Sequence, residues 1–268
     1  MKSDNIFNST SSVMQPALSV VVPVLNEAAL ISDVLTSLAA LRSRGCEVIV
    51  VDGGSSDGTV ELAEASGLAD VVLCSARGRA VQMNAGAACA RARVLLFLHA
   101  DTRLPEAAVR SILGALHASA GQGTASAPRA LPERWGRFDV CITGNHWLLP
   151  AVAWSMNLRS RLSGIATGDQ AMFVTRSLFE RCGGFPAQAL MEDVALSARL
   201  RRESAPLCLR DRVCTSGRRW EQNGVLQTIL LMWRLRLAYF FGASPQALAR
   251  QYQVRRVEGR ENRREVQR

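Results

Sequence analysis

Leu18–Val24 reads LSVVVPV and Glu47–Val51 reads EVIVV, and these two stretches decide the fold. Each is a short, unbroken apolar run rich in β-branched residues, the pattern of a strand buried on both faces. Each ends abruptly in polar residues, Asn26-Glu27 after the first and Asp52-Gly53-Gly54 after the second. Between them Leu30, Ile31, Val34, Leu35 and Leu38 recur at helical spacing until Gly45. The same unit continues outward. Asp57-Gly58-Thr59 opens a helix to Ala65, Val71–Cys74 is a third strand, and a helix runs from Ala80 to about Arg91. Val94–Leu98 (VLLFL) is a fourth strand, and a helix after Pro105 reaches His117. Strands that alternate with helices and are continuously apolar predict an α/β fold. Its central sheet is mostly parallel, with helices on both faces. The polar residues Asn26, Glu27, Asp52, Asp57, His99 and Asp101 fall just past strand ends, the edge where open parallel sheets bind ligands.

Ala118–Pro132 is small, flexible and punctuated by proline, a boundary between a nucleotide half and an acceptor half. Beyond it the pattern predicts a strand at Arg137–Thr143, a helix at Leu148–Leu162, a strand at Ala171–Thr175 and a short helix at Ser177–Cys182. A helix at Glu192–Arg202 follows, then short strands at Leu207–Leu209 and Val213–Thr215, and one long helix starting near Trp220. The expected organisation is a disordered segment at 1–17, a single domain at 18–254 and a basic tail at 255–268. Within the domain the nucleotide half spans 18–117, the acceptor half 133–220 and a C-terminal helical segment 221–254.

The 268 residues are 48% hydrophobic and 21% charged, which excludes a disordered or fibrous chain. The net charge of +9 invites a nucleic-acid reading, but residues 1–130 carry 10 basic and 11 acidic groups, so the excess lies wholly in the second half. No recognised nucleic-acid-binding module accompanies it. Seven cysteines without Cys-x-x-Cys spacing, and only three histidines, argue against a zinc site or a disulfide framework and fit a reducing cytosol. The N-terminal residues lack the pattern of a signal peptide. The nearest approach to a membrane span, Gly224–Ala243, is interrupted by Arg234 and Arg236.

Four motifs carry chemistry. In VDGGSSDGT, Asp52 can accept hydrogen bonds from a base or ribose while Gly53 and Gly54 let backbone approach closely; the plain alternative is a turn. No Gly-x-Gly-x-x-Gly or P-loop pattern is present. In FLHADT, Asp101 can hold a divalent ion against a diphosphate, with His99 as second ligand or phosphate donor; alternatively Asp101-Thr102 caps a helix. In LMEDVALSARLRR, the acids Glu192 and Asp193 are either helix-start charges or include the carboxylate that deprotonates a hydroxyl. In TSGRRW, the arginines and Trp220 either bind diphosphate and stack a ring or form a basic surface turn.

The order VVPVLNEA, DGGSSDGT, FLHADT, GGFP, MEDVALSARL and RRW, each occurring once, resembles family 2 glycosyltransferases of the GT-A fold over Leu18 to Trp220. The resemblance implies that Pro23, Asn26 and Glu27 line a nucleotide loop and that Asp52 contacts the base or ribose. It places Asp101 at the last acid of the Asp-x-Asp metal motif, Asp193 at the catalytic base, and Arg219 and Trp220 at the end of Gln-x-x-Arg-Trp. Position 99 departs from the pattern as His, and the chain lacks the opening Gln of the last motif, so a polymer-making role is not supported. FLHADTRLP, TGDQAMFV with its Asp169, and LMEDV also resemble a bacterial subgroup with this His-Ala-Asp variant, some members of which are labelled arsenosugar-pathway glycosyltransferases.

The implied activity is inverting transfer of a sugar from a nucleotide-sugar donor, a UDP-sugar, to a hydroxyl acceptor, with Mn²⁺ or Mg²⁺ as cofactor. Arg77, Arg79, Asp169, Glu192 and Trp220 are further acceptor or diphosphate candidates. A nucleotidyltransferase would share the sheet but calls for a Gly-rich basic loop where Asn26-Glu27 stands. The other rival is a basic nucleic-acid-binding protein. The expected location is cytoplasmic. The chain is expected to be soluble or peripherally attached. Residues 224–243 read either as a helix packed on the domain, the usual fate of an apolar helix, or as one in peripheral contact with the inner membrane face, which would fit a lipid-linked acceptor.

Overall fold

The computed structural model describes residues 15–119 and 131–252. The first half folds as β1 (Leu18–Val24), α1 (Ala28–Arg42), β2 (Cys46–Asp52), α2 (Thr59–Ala65), β3 (Val71–Cys74), α3 (Arg79–Cys89) and β4 (Val94–Phe97). β1 pairs in parallel with β2 and β4, and β2 with β3. Then come β5 (Thr102–Arg103), α4 (Ala108–Ser119), β6 (Trp135–Thr143), α5 (Leu149–Ser163), a 3₁₀ turn at Gly168–Gln170, β7 (Phe173–Thr175), α6 (Arg176–Arg181) and α7 (Glu192–Glu203). β8 (Leu207–Ser216), α8 (Arg218–Asn223), α9 (Val225–Phe240) and a helical stretch at residues 245–252 close the described chain.

The sheet order is β3-β2-β1-β4-β7-β6-β8-β5, with β7 antiparallel to β4 and β6, and β5 antiparallel to β8. This is the expected α/β fold with a mostly parallel sheet. The strand order reverses at β1, flanked by β2 on one side and β4 on the other, and the crevice beyond such a switch point is the natural ligand site. The alternation of β1 sorts the core into two layers. Val20, Val22 and Val24 pack with Ile31, Leu35 and Leu38 of α1 and with α4 and α5. Val21 packs with Ile49 and Val51 of β2 and with α3, α6 and α7. Each such side chain contributes about 1.5–3 kcal/mol relative to exposure, so the layers hold the sheet flat beneath its polar edge.

Two buried polar networks add register. At the N-terminal edge Glu47 accepts from the Ser19 hydroxyl (2.6 Å), the Arg91 amide (2.8 Å) and the Arg91 guanidinium (2.5 Å). In the second half the fully buried Arg137 pairs with Asp139 and donates to Ser160 Oγ at 3.0 Å, tying β6 to α5.

The structure differs from the sequence reading in four places. The two short strands expected at 207–215 are one strand, β8, whose parallel pairing with β6 shifts register at Phe138/Asp139. The long helix expected from Trp220 is broken at Gly224 (φ +79°) into α8 and α9. The two-residue β5 escaped notice because Thr102-Arg103 is too short for any periodicity. Gln15–Ala17, read as part of the leading segment, are tied down: the Gln15 amide donates to Arg91 O and Ala17 N to Gly45 O, both at 3.0 Å. The rest of that segment, most of the 118–132 loop and the basic tail lie outside the described residues.

Candidate functional site

The loops after β1 and β2 are laced together by their own side chains. Asn26, held at φ +54°, donates its amide to Ser55 Oγ (2.8 Å) and accepts from Ser56 N (2.9 Å). Glu27 N donates to Thr59 Oγ1 (2.9 Å) and Ala28 N to Asp57 Oδ2 (3.0 Å). Asp57 also accepts from the Thr59 hydroxyl, which holds its carboxyl below the usual carboxylate range. Asp52 is buried and turned back on its own loop, with Oδ2 accepting from the amides of Gly54 (2.8 Å) and Ser55 (2.9 Å) and Oδ1 from the Ser55 hydroxyl. Pro23 lies within β1, one residue before its end.

Gln82, which the sequence reading did not single out, underpins both loops. From α3 its buried amide donates to Val24 O (2.7 Å), the last carbonyl of β1, and Val51 O (2.9 Å), the next to last of β2. A Cβ on Gly53 would lie 2.9 Å from Gln82 Cδ, so that glycine makes room for this side chain. Nothing in a single glutamine within a helical pattern signals such a role.

The second cluster gathers around the end of β4. Asp101 lies two residues after His99. Its carbonyl accepts from Ser216 N at 3.1 Å, which sets the β4 end against the Gly217–Trp220 turn. His99 Nδ1 lies 3.5 Å from Asp169 Oδ1. Its imidazole packs over Gly168 so closely that a Cβ there would come within 2.3 Å of Nε2. The Gly168 amide donates to Asp193 Oδ2 at 2.8 Å, so the 3₁₀ turn joins His99 to the acidic pair. Met191, at φ +65°, turns the chain into α7, where Val194 N donates to Asp193 Oδ1 at 2.7 Å. Glu192 is 4% exposed and lies 3.6 Å from Arg79 Nη1. Burial, reinforced by the neighbouring Asp193 charge, pushes its carboxyl above the usual range.

Arg159 of α5 joins this cluster without any warning from the sequence. Its Nε and Nη2 are buried with no hydrogen-bond partner, and burial, together with Arg236, pulls its pKa down to about 10, while the Asp193 charge partly counters the fall. Residue order carries no signal of this, because an arginine on an amphipathic helix reads as solvated. The structure thus brings His99, Asp169, Glu192, Asp193 and Arg79 together, while Arg77 is exposed on the approach to α3. Trp220 is half-buried against the main core. Arg219 lies in α8, with its side chain outside the described residues.

The family pattern described as Glycosyl transferase family 2 matches residues 19–174, more than half of the chain. The chain belongs to that family. The match runs from β1 through β7 and so covers the first two loops, Asp101 and Asp169 of this family 2 chain. Among curated relatives, a PGL/p-HBAD biosynthesis glycosyltransferase of Mycobacterium bovis is 36% identical over 97 residues, 34% of this chain and 38% of that relative. The chain thus matches well under half the length of such relatives. Among solved structures, S. aureus TarS 1-349 in complex with UDP-GlcNAc superposes with a TM-score of 0.59 at 18% identity, covering 74% of this chain and 58% of that one. The mannosyltransferase PcManGT from Pyrobaculum calidifontis, in complex with GDP-Man and Mn²⁺, gives 0.55 at 22%, covering 75% and 57%. These likenesses establish the GT-A fold for this family 2 member.

Proposed function

We propose that the chain transfers a sugar from a nucleotide-diphosphate donor, a UDP-sugar, to the hydroxyl of an acceptor, by a single displacement that inverts the anomeric carbon. The observation that carries the reading is the placement of two sets of groups side by side along the edge at the switch point. One set is the laced loops after β1 and β2; the other is the His99, Asp169, Glu192 and Asp193 cluster beyond β4, with Asp101 two residues after His99 in the chain. Pro23, Asn26, Glu27 and Asp52 frame the nucleotide. Asp52 Oδ2 is filled by the Gly54 and Ser55 amides, while Oδ1, which accepts from the Ser55 hydroxyl, keeps a second lone pair that can accept from base or ribose. Asp193 takes the acceptor proton as the hydroxyl oxygen bonds to the anomeric carbon. The bond from that carbon to the diphosphate breaks, and the nucleoside diphosphate leaves. In this reading Arg79 and Arg219 are the groups assigned to receive its charge.

Among the described residues no three His, Cys, Asp or Glu side chains lie close enough to hold an ion unaided. Ions of the Mg²⁺ or Mn²⁺ kind need only one or two protein ligands alongside substrate phosphates and water, and the residues present fit that arrangement. Asp101 would be the carboxylate ligand. His99, whose Nδ1 lies 3.5 Å from Asp169 Oδ1, would be the second ligand or a donor to phosphate. When bound, the ion offsets charge developing on the departing diphosphate. On the acceptor side the reading extends to a lipid-linked hydroxyl met at the inner, cytoplasmic face of a membrane, with residues 224–243 in peripheral contact.

The test is nucleotide release from a panel of nucleotide sugars with and without Mn²⁺ or Mg²⁺. Release should require one donor and a divalent ion, and Asp193→Asn should lower it about 10²–10⁴-fold with donor affinity retained. A variant keeping more than about half the wild-type rate would move the base to Glu192. Asp101→Ala should weaken donor binding and abolish its sensitivity to chelator; an affinity unchanged by both would remove the ion from the scheme.

A further inference from the structure

Among the described residues, most of the large apolar side chains left in water sit on two helices. On and just before α5 they are Trp147, Trp154 (66% exposed), Leu158 and Leu162. On α9 they are Leu226, Leu230, Trp233 (71% exposed), Leu237 and Phe240, a stripe at helical spacing. Leu149, Val152 and Met156 of α5 pack in the same cluster as Val225 and Ile229 at the start of α9. Farther along, Leu231, Met232 and Leu235 of α9 pack with Met191 and Leu248 instead. The two helices thus meet at one core layer near the start of α9, and Arg159 and Arg236 lie near enough to repel each other.

The charge on this surface has one sign. Over Leu149–Ser163 and Val225–Phe240 there are four arginines, Arg159, Arg161, Arg234 and Arg236, and no Asp or Glu. Arg161 is neutralised by Asp139, while Arg234 bonds only to the neutral Gln251 amide (3.3 Å). A second copy of this chain would bring like charges together on a molecule of net +9. An anionic bilayer instead accepts apolar and aromatic side chains at headgroup depth and attracts guanidinium groups that snorkel beside them. Spanning is ruled out for these helices. No described helix is long and apolar enough to cross a membrane, and the 16 residues of α9 extend only about 24 Å at 1.5 Å each.

We infer that α5 and α9 form one two-helix face that lies in the headgroup region of an anionic bilayer. This deepens the proposed membrane contact, and rests on it, by making α5 an equal partner of the C-terminal helix. The face adjoins the catalytic cluster, because Arg159 at its seam also feels the Asp193 charge. A hydroxyl carried at the bilayer surface would therefore reach the base without leaving the interface.

Flotation of the full chain with vesicles of equal phosphatidylcholine and phosphatidylglycerol tests this against vesicles of phosphatidylcholine alone. The wild type should float with the anionic vesicles, release in high salt, and bind the neutral ones at least about tenfold more weakly. Trp154→Ser with Leu158→Ser, and separately Leu230→Ser with Trp233→Ser, should each lower anionic binding about tenfold or more. All four side chains are exposed, so these variants should keep the wild-type thermal midpoint. In the unaltered protein, vesicles should slow amide exchange over both 149–163 and 225–240. Full binding and absent protection at α5, with loss at α9, would overturn the two-helix face and leave the single-helix contact standing. Failure of the wild type to float would sink both. A wild-type dimer dissolved by the α5 pair would make the face a subunit interface and overturn the inference.

Discussion

At the ends of β1 and β2, Asn26, Asp52, Asp57 and Gln82 are answered by backbone groups, whereas past β4 and at the start of α7 His99 faces Asp169 and the buried Glu192 faces Arg79, with Asp193 held by backbone amides, those of Gly168 and Val194. The first arrangement is inexpensive in free energy and rigid, since each carboxylate or amide satisfies chain that would otherwise be stranded at a strand end. The second is costly. Glu192 and Asp193 are adjacent acids, one of them buried, Met191 and Ala171 adopt left-handed backbone, and Arg159 buries two nitrogens without partners. Under the proposed function the contrast is a division of labour, in which a constant ligand such as a nucleotide suits a prefabricated cradle and bond breaking suits the charged cluster.

Three measurements would break or sharpen this contrast. The largest effect is expected from Gln82→Leu. It removes two buried hydrogen bonds, at about 0.5–1.5 kcal/mol net each, Val24 O keeping its bond from Gly53 N, and should lower denaturant stability and donor affinity together. Unchanged stability would mean the loops hold without it. Arg159→Met should act in the opposite direction, raising stability by about 1 kcal/mol because a buried, unpartnered cation is replaced by apolar volume, while transfer falls. A loss of stability would show that Arg159 is part of the scaffold.

The smallest effect is a pair of pH profiles with opposite sign. Burial pushes the Glu47 carboxyl up, but hydrogen bonds from Ser19 and Arg91 outweigh it and leave its pKa below the ordinary 4.5. Its contribution to stability is present above about pH 4.5 and lost as pH falls through the lower folded value. The Glu192 pKa is raised, so stability is fullest below about pH 4.5 and declines as pH climbs through the folded value. Thermal midpoints should therefore show Glu47→Gln less stable than wild type at pH 7, with the gap closing in acid. Glu192→Gln should be at least as stable as wild type at pH 7, with its advantage gone in acid. Parallel profiles for the two variants would erase the distinction between the halves.

How much of the fold was legible follows from where hydrophobic periodicity was strong. LSVVVPV, EVIVV and VLLFL, with helical runs between them, determined the parallel sheet, its two-layer core and the polar edge, because buried strands and amphipathic helices write their burial directly into residue order. The second half was less legible. β5 is too short to pattern, β8 is stretched by a register shift, and Gly224 breaks a helix whose apolar run continues through it.

The motif residues were legible as types, and the sequence by itself marked which acids are candidates. It did not determine that Asp52 spends its carboxylate on its own loop, that Gly168 carries the contact between His99 and Asp193, or that Gln82 and Arg159 belong to the site at all. Those relations join residues tens of positions apart, and short-range spacing holds no information about distance between elements. Only tertiary packing, by placing α3, α5 and the Gly168–Gln170 turn against the ends of β1, β2 and β4, decides which polar groups are satisfied and which are left for chemistry.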